Sequence, residues 1–134
     1  MRKLVLLLIL VLSLFLISCG GNVEKINDVN LFDSLMEEGI KYDIRDVSLC
    51  EEGHIKGFLC VGSEDNDTII KNIDIISSSK KINILLIGNE EDVVYILDAL
   101  SKKGYKNLYY FEGGYEGYKT AKGDSFVPEE GCGC

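Results

Sequence analysis

Apolar and polar residues are spaced along this chain in two rhythms, one of strands and one of helices. Residues 23–26 read as a short first strand. Asp28 can cap a helix in which Leu31, Phe32, Leu35 and Met36 share one face, with Gly39 as its stop. Residues 40–44 read as a strand, 45–57 as a polar loop holding Gly53 and Gly57, and 58–61 as a short apolar strand. Asp67 can cap a second helix carrying Ile69, Ile70, Ile73 and Ile76. Residues 82–87 (INILLI) are almost continuously apolar, which suits a strand buried on both faces. Asn89 can cap a third helix with Val93, Val94, Ile96, Leu97 and Leu100 inward and Gly104 at its end. A strand at 107–111, a tight turn at Gly113-Gly114 and a helical turn at 115–119 follow. From Thr120 no period is visible, so 120–134 is expected to be a flexible tail ending in Cys-Gly-Cys. There are no internal repeats. Strands alternating with amphipathic helices predict an α/β domain with a mostly parallel central sheet flanked by helices.

The first residues follow neither rhythm. Arg2 and Lys3 precede 4–17, a run that is apolar except for Ser13 and short for a bilayer span. It ends in Leu16-Ile17-Ser18-Cys19-Gly20-Gly21, which resembles a bacterial lipoprotein signal: an aliphatic residue, a small residue before the cut, then the cysteine that carries diacylglycerol. The resemblance implies a signal peptide at 1–18, a lipidated tether at 19–22 and a domain at 23–119. It also implies anchoring at Cys19 in the membrane of the cell envelope.

Removal of 18 residues leaves 116, enough for one compact domain. The chain has 14 basic and 22 acidic residues; with Arg2 and Lys3 in the leader, the mature part carries 12 against 22, a net −10. That balance argues against nucleic acid or an anionic membrane surface as a partner. Beyond the leader there is one arginine, Arg45, and the chain's one histidine is His54. With Cys19 lipidated, Cys50, Cys60, Cys132 and Cys134 remain in a compartment where disulfides persist. Four cysteines allow three full pairings, and the sequence leaves the choice open. Cys132-Gly133-Cys134 reads as exposed thiols, an easily reduced bridge, or a redox or sulfur-carrying arm. Two thiolates with no histidine beside them leave a zinc site incomplete.

Three segments together are similar to the rhodanese-like domain family. Tyr42-Asp43-Ile44-Arg45-Asp46, then Gly53-His54-Ile55-Lys56-Gly57, resembles the family's Asp-x-Arg strand end and Gly-His-Ile-x-Gly turn. The buried strand 82–87 with its loop and helix is the second segment. Gly104 to Gly114, with Tyr118 where the family often has Trp, resembles its closing strand and double-glycine turn. The resemblance implies the family's fold and structural roles for Asp43, Arg45, Gly53, His54 and Gly57. An active member carries a nucleophilic cysteine just after the central strand, where loop amides and a helix N-terminus stabilise a persulfide.

Here the chain departs from the family. A gap-free match puts Ile87 at the cysteine position, followed by Gly88, Asn89, Glu90, Glu91 and Asp92. No cysteine occurs between Cys60 and Cys132, so no shift supplies one. Ile cannot attack sulfur, and the three acids would repel an anionic donor such as thiosulfate. The acids also suit the first turn of a helix; a role toward a basic partner or a divalent cation is the alternative. The expectation is a monomeric, membrane-anchored rhodanese-like module without classical sulfurtransferase activity or cofactor, binding a protein or small ligand. The alternative is thiol redox or sulfur carriage by Cys132 and Cys134, with Cys50 and Cys60 as second candidates.

Overall fold

The computed structural model describes residues 22–133. The leader, Cys19 and Cys134 lie outside them. Five strands, β1 (Asn22–Ile26), β2 (Ile40–Asp43), β3 (Leu59–Cys60), β4 (Asn83–Ile87) and β5 (Asn107–Phe111), form one sheet in the order β1-β5-β4-β2-β3. Every pairing within it is parallel. Five helices connect or follow the strands: α1 (Val29–Leu35), α2 (Val47–Glu52), α3 (Asn66–Ile76), α4 (Glu90–Lys102) and α5 (Gly114–Lys122).

β4 lies at the centre and explains its own composition. Side chains of a strand alternate between faces. Ile84 and Leu86 enter one core layer, against α3 and α4, with Ile69, Ile73, Ile96, Leu97 and Leu100. Leu85 and Ile87 enter the other, with Phe32, Phe58, Phe111 and Tyr118. The Phe32 ring sits edge-on to Phe111, with centroids 5.2 Å apart, and 5.8 Å from Tyr118. Burial and a hydrogen bond donated to Asp33 hold the Tyr118 phenol well above its ordinary pKa.

The helix starts are set by local side chains. Asp28 Oδ1 accepts from the Asn30 amide at 2.9 Å, and Asn89 Oδ1 accepts from the Glu91 amide at 2.9 Å. The cap of α3 is Asp65 rather than the expected Asp67; its Oδ1 accepts from the Thr68 amide at 2.7 Å. Leu31 and Ile76, expected to face inward, are 46% and 56% exposed, because both lie toward the edges of their helical faces. The expected loop 45–57 contains α2, capped by Asp46 and packed through the buried Cys50.

The chain beyond residue 119 also differs from the expected flexible tail. The closing helix runs from Gly114 to Lys122, and a 3-10 turn spans Gly123–Ser125. The rest is aperiodic but docked. The Phe126 ring packs edge-on against Tyr115 and Tyr118. His54 and Glu129 exchange backbone hydrogen bonds of 2.9 Å in an antiparallel bridge. The Gly131 amide donates to the Glu51 carbonyl at 2.9 Å, and the Cys60 amide donates to the Cys132 carbonyl at 3.0 Å.

Candidate functional site

In a parallel sheet, ligands bind at the carboxyl ends of the strands. Two adjoining clefts lie there. One, of about 260 Å³, lies between Gly88, Asn89 and Glu90 on one side and Tyr110, Phe111, Gly113 and Gly114 on the other. Its neighbour, of about 290 Å³, adds Arg45, Leu49, Tyr115 and Glu116. The two loops meet closely. A Cβ on Gly88 would lie 2.4 Å from Ile44 Cγ1, and one on Gly114, at φ +64°, would lie 3.0 Å from the Gly88 carbonyl oxygen. Gly114 is thus required by the approach of the β4 loop, whereas a Cβ on Gly113, at φ +77°, would meet Gly117 of α5 at 3.0 Å.

Ile87 lines neither cleft. It is the last residue of β4, 1% exposed, with its side chain in the core layer of Phe58 and Phe111. The amide of Glu91 is engaged by Asn89 Oδ1, and that of Val93 by the Asn89 carbonyl. Glu90, Glu91 and Asp92 are exposed in the first turn of α4. Glu90 pairs with Lys25 at 2.7 Å and accepts from the Tyr110 hydroxyl at 3.2 Å. These contacts, Lys25 first, hold its carboxyl below the usual range. Asp92 accepts from the Asn66 side chain at 3.0 Å.

Arg45 lines the second cleft, and its Nε and Nη2 are both engaged. Its Nη2 donates to Asp43 Oδ2 at 2.7 Å and to the Gly53 carbonyl at 2.8 Å, while Nε donates to both Asp43 oxygens. Its guanidinium lies 3.8 Å from the centre of the Tyr115 ring. Asp43 is fully buried. The Asp-x-Arg pair therefore ties β2 to the turn at Gly53, and Tyr115 covers it. Sequence reasoning did not find the Tyr115 contact, because nothing local relates Tyr115 to Arg45.

His54 is fully buried. A carbonyl can only accept, so the 2.9 Å contact between Nδ1 and the Cys50 carbonyl places a proton on Nδ1. Nε2 has no hydrogen-bond partner among the described residues. The Gly57 amide donates to the Glu129 carboxylate at 3.2 Å. The pairing left open by the sequence is Cys50 with Cys60. Donor atoms of Cys50, His54 and Cys60 lie within 4.8 Å of one another, but the two sulfurs are bonded together, which removes them as thiolate ligands. Cys132 is itself disulfide-bonded. The structure thus brings His54, Cys50, Cys60 and the 129–132 segment together, apart from the Ile87 loop.

The family model described as Rhodanese-like domain matches residues 28–121. Among solved structures, the crystal structure of the Alr3790 protein from Anabaena sp. is similar, with 21% identity and a TM-score of 0.61 over 77% of this chain and 81% of that one. The X-ray structure of the rhodanese-like domain of the same protein aligns at 21% identity and a TM-score of 0.52, over 72% of this chain and 95% of that one. No curated protein matches the chain.

Proposed function

The chain belongs to the rhodanese-like domain family, and from that premise we propose that it is a membrane-anchored member without classical sulfurtransferase activity, serving as a binding or accessory module of the bacterial cell envelope. The observation that carries this reading is Ile87. At the position of the family's nucleophile stands a side chain with no ionisable group, packed in the core rather than opened to a cleft. The surroundings support it. The helix start is capped by Asn89, its first turn is acidic, and the nearest guanidinium is held by Asp43 and Gly53. What remains at the carboxyl end of the sheet is a pair of small clefts suited to a protein or small-molecule ligand, with no part for nucleic acid. The domain acts as a monomer.

Thiosulfate and cyanide given to the mature chain are expected to yield thiocyanate no faster than in its absence. Turnover that depends on a cysteine would overturn the reading. A persulfide donor followed by mass mapping tests the thiol alternative, since stable sulfur on Cys132 or Cys134 would favour it. For the anchor, Cys19→Ser is expected to abolish lipid labelling and block processing. Labelling that survives the substitution would refute the assignment.

A further inference from the structure

The two ends of the sheet differ in charge. All strands run the same way, so the loops before β4 and β5 share one end with the start of β1. That end, on the α3/α4 side, carries Lys80, Lys81, Lys102, Lys103 and Lys106, all exposed. They form one patch. The Lys106 amide donates to the Lys80 carbonyl at 3.0 Å, and the Asn107 side chain donates to the Lys81 carbonyl at 2.6 Å. Lys80 and Lys103 both approach Asp74, at 3.0 and 3.8 Å. Helix C-termini favour lysines, which accounts for Lys102 and Lys103 but not for Lys80, Lys81 and Lys106. Beside them, Ile75 and Ile76 at the end of α3 are 68% and 56% exposed. The loop before β2 lies at the same end and carries Glu37 and Glu38, and Glu38 shares a depression with Lys81, so the lysine face has an acidic border on that side.

The length of chain ahead of the sheet fixes what this end faces. β1 begins at Asn22, three residues after Cys19, and Asn22 is paired with Asn107, next to Lys106. Three residues span at most about 10 Å. We propose that the end of the domain bearing Lys80, Lys81, Lys102, Lys103, Lys106, Ile75 and Ile76 docks on an anionic phospholipid surface, leaving the clefts at the carboxyl ends of the strands facing away. The proposal rests on the lipid-anchor reading above. The net −10 of the mature chain, which argues against such a surface for the chain as a whole, is unevenly placed: Asp74, Glu37 and Glu38 border the lysines, and other acids lie farther away. Glu90, Glu91, Asp92 and Glu112 lie at the other end, across strands of five residues, roughly 17 Å. That is about two Debye lengths at physiological salt.

The test uses the acylated chain in phosphatidylcholine vesicles with and without phosphatidylglycerol. Amide exchange is expected to slow severalfold at 77–82 and 101–106 only when phosphatidylglycerol is present, with 88–92 unchanged. High salt, or the triple variant Lys81→Gln, Lys102→Gln, Lys106→Gln, which spares the Asp74 pairs, should reverse it. Equal exchange in both vesicles, with Cys19 acylated, overturns docking and leaves the anchor standing. Absence of acyl groups on Cys19 removes the anchor reading. Sedimentation of the mature chain without leader or acyl group (residues 20–134) with the same vesicles at low salt then decides the face. Each lysine near an anionic surface is worth about fivefold in partitioning, so the triple variant should bind on the order of a hundredfold more weakly. No binding by the unsubstituted lysine face overturns the proposal.

Discussion

Arg45→Ala is expected to cost the domain about 3–5 kcal/mol, because it strands a buried carboxylate. Asp43 is fully enclosed, and the Arg45 side chain donates three hydrogen bonds to its oxygens. For a domain of this size the loss corresponds to a fall in Tm of roughly 12–20 °C. Thermal and urea melts check it. Two further variants separate the causes. Asp43→Ala with Arg45→Ala together should be less damaging than Arg45→Ala alone, since no orphan charge remains. Arg45→Lys should fall between, because an ammonium cannot serve Asp43 and the Gly53 carbonyl with one planar fork while stacking on Tyr115. A melt of Arg45→Ala within about 1 kcal/mol of the parent would show that the pair contributes little. The same geometry bears on function. A guanidinium that stabilises Asp43 cannot turn toward an anion in the cleft without exposing that cost.

What the sequence made legible was local or periodic. Asp28 and Asn89 could be read as caps because each bonds to amides two or three residues on. β4 could be read as central because residues 84–87 are apolar on both faces, which a parallel sheet covered by helices requires. The absence of any cysteine between Cys60 and Cys132 was legible because cysteines are countable. What was hidden depends on long-range contacts. α2 has little periodicity of its own and is held by Cys50, buried and bonded to β3. The docked segment after Ser125 carries few apolar signals, Phe126 and Val127, and its bonds go to residues some seventy positions earlier, His54 and Glu51 among them. The gap-free match set Ile87 at the mouth of the loop after β4. Only the side-chain alternation along β4, once its partners are known, shows that it belongs to the core. The overall acidity hid the local cluster of Lys80, Lys81, Lys102, Lys103 and Lys106, which sit on separate segments that the parallel topology brings to one end.

Opening the Cys50–Cys60 disulfide is expected to destabilise the domain by about 3 kcal/mol and to loosen its C-terminal segment before its sheet. The bridge closes a loop of sequence separation 10, and a cross-link of that span restricts the unfolded chain by roughly this amount. The native state adds a local effect. Cys50 lies in α2, Cys60 ends β3, and the Gly-His-Ile turn runs between them. His54 Nδ1 bonds to the carbonyl of Cys50 itself, and the His54 backbone pairs with Glu129. The amide of Cys60 meets the Cys132 carbonyl. One covalent link therefore braces the turn and the strand on which the C-terminal segment rests. The double variant Cys50→Ala, Cys60→Ala should melt roughly 10 °C lower. Amide exchange at His54, Glu129 and Gly131 should accelerate by more than the global loss accounts for. Exchange at Leu85, Leu86 and Ile87 should follow global stability alone, since β4 is bonded on both sides by β2 and β5. An unchanged melting temperature would sink the stabilising role. Equal acceleration of the C-terminal segment and β4 would instead show that the segment does not depend on the bridge, and that its docking belongs to the fold as a whole.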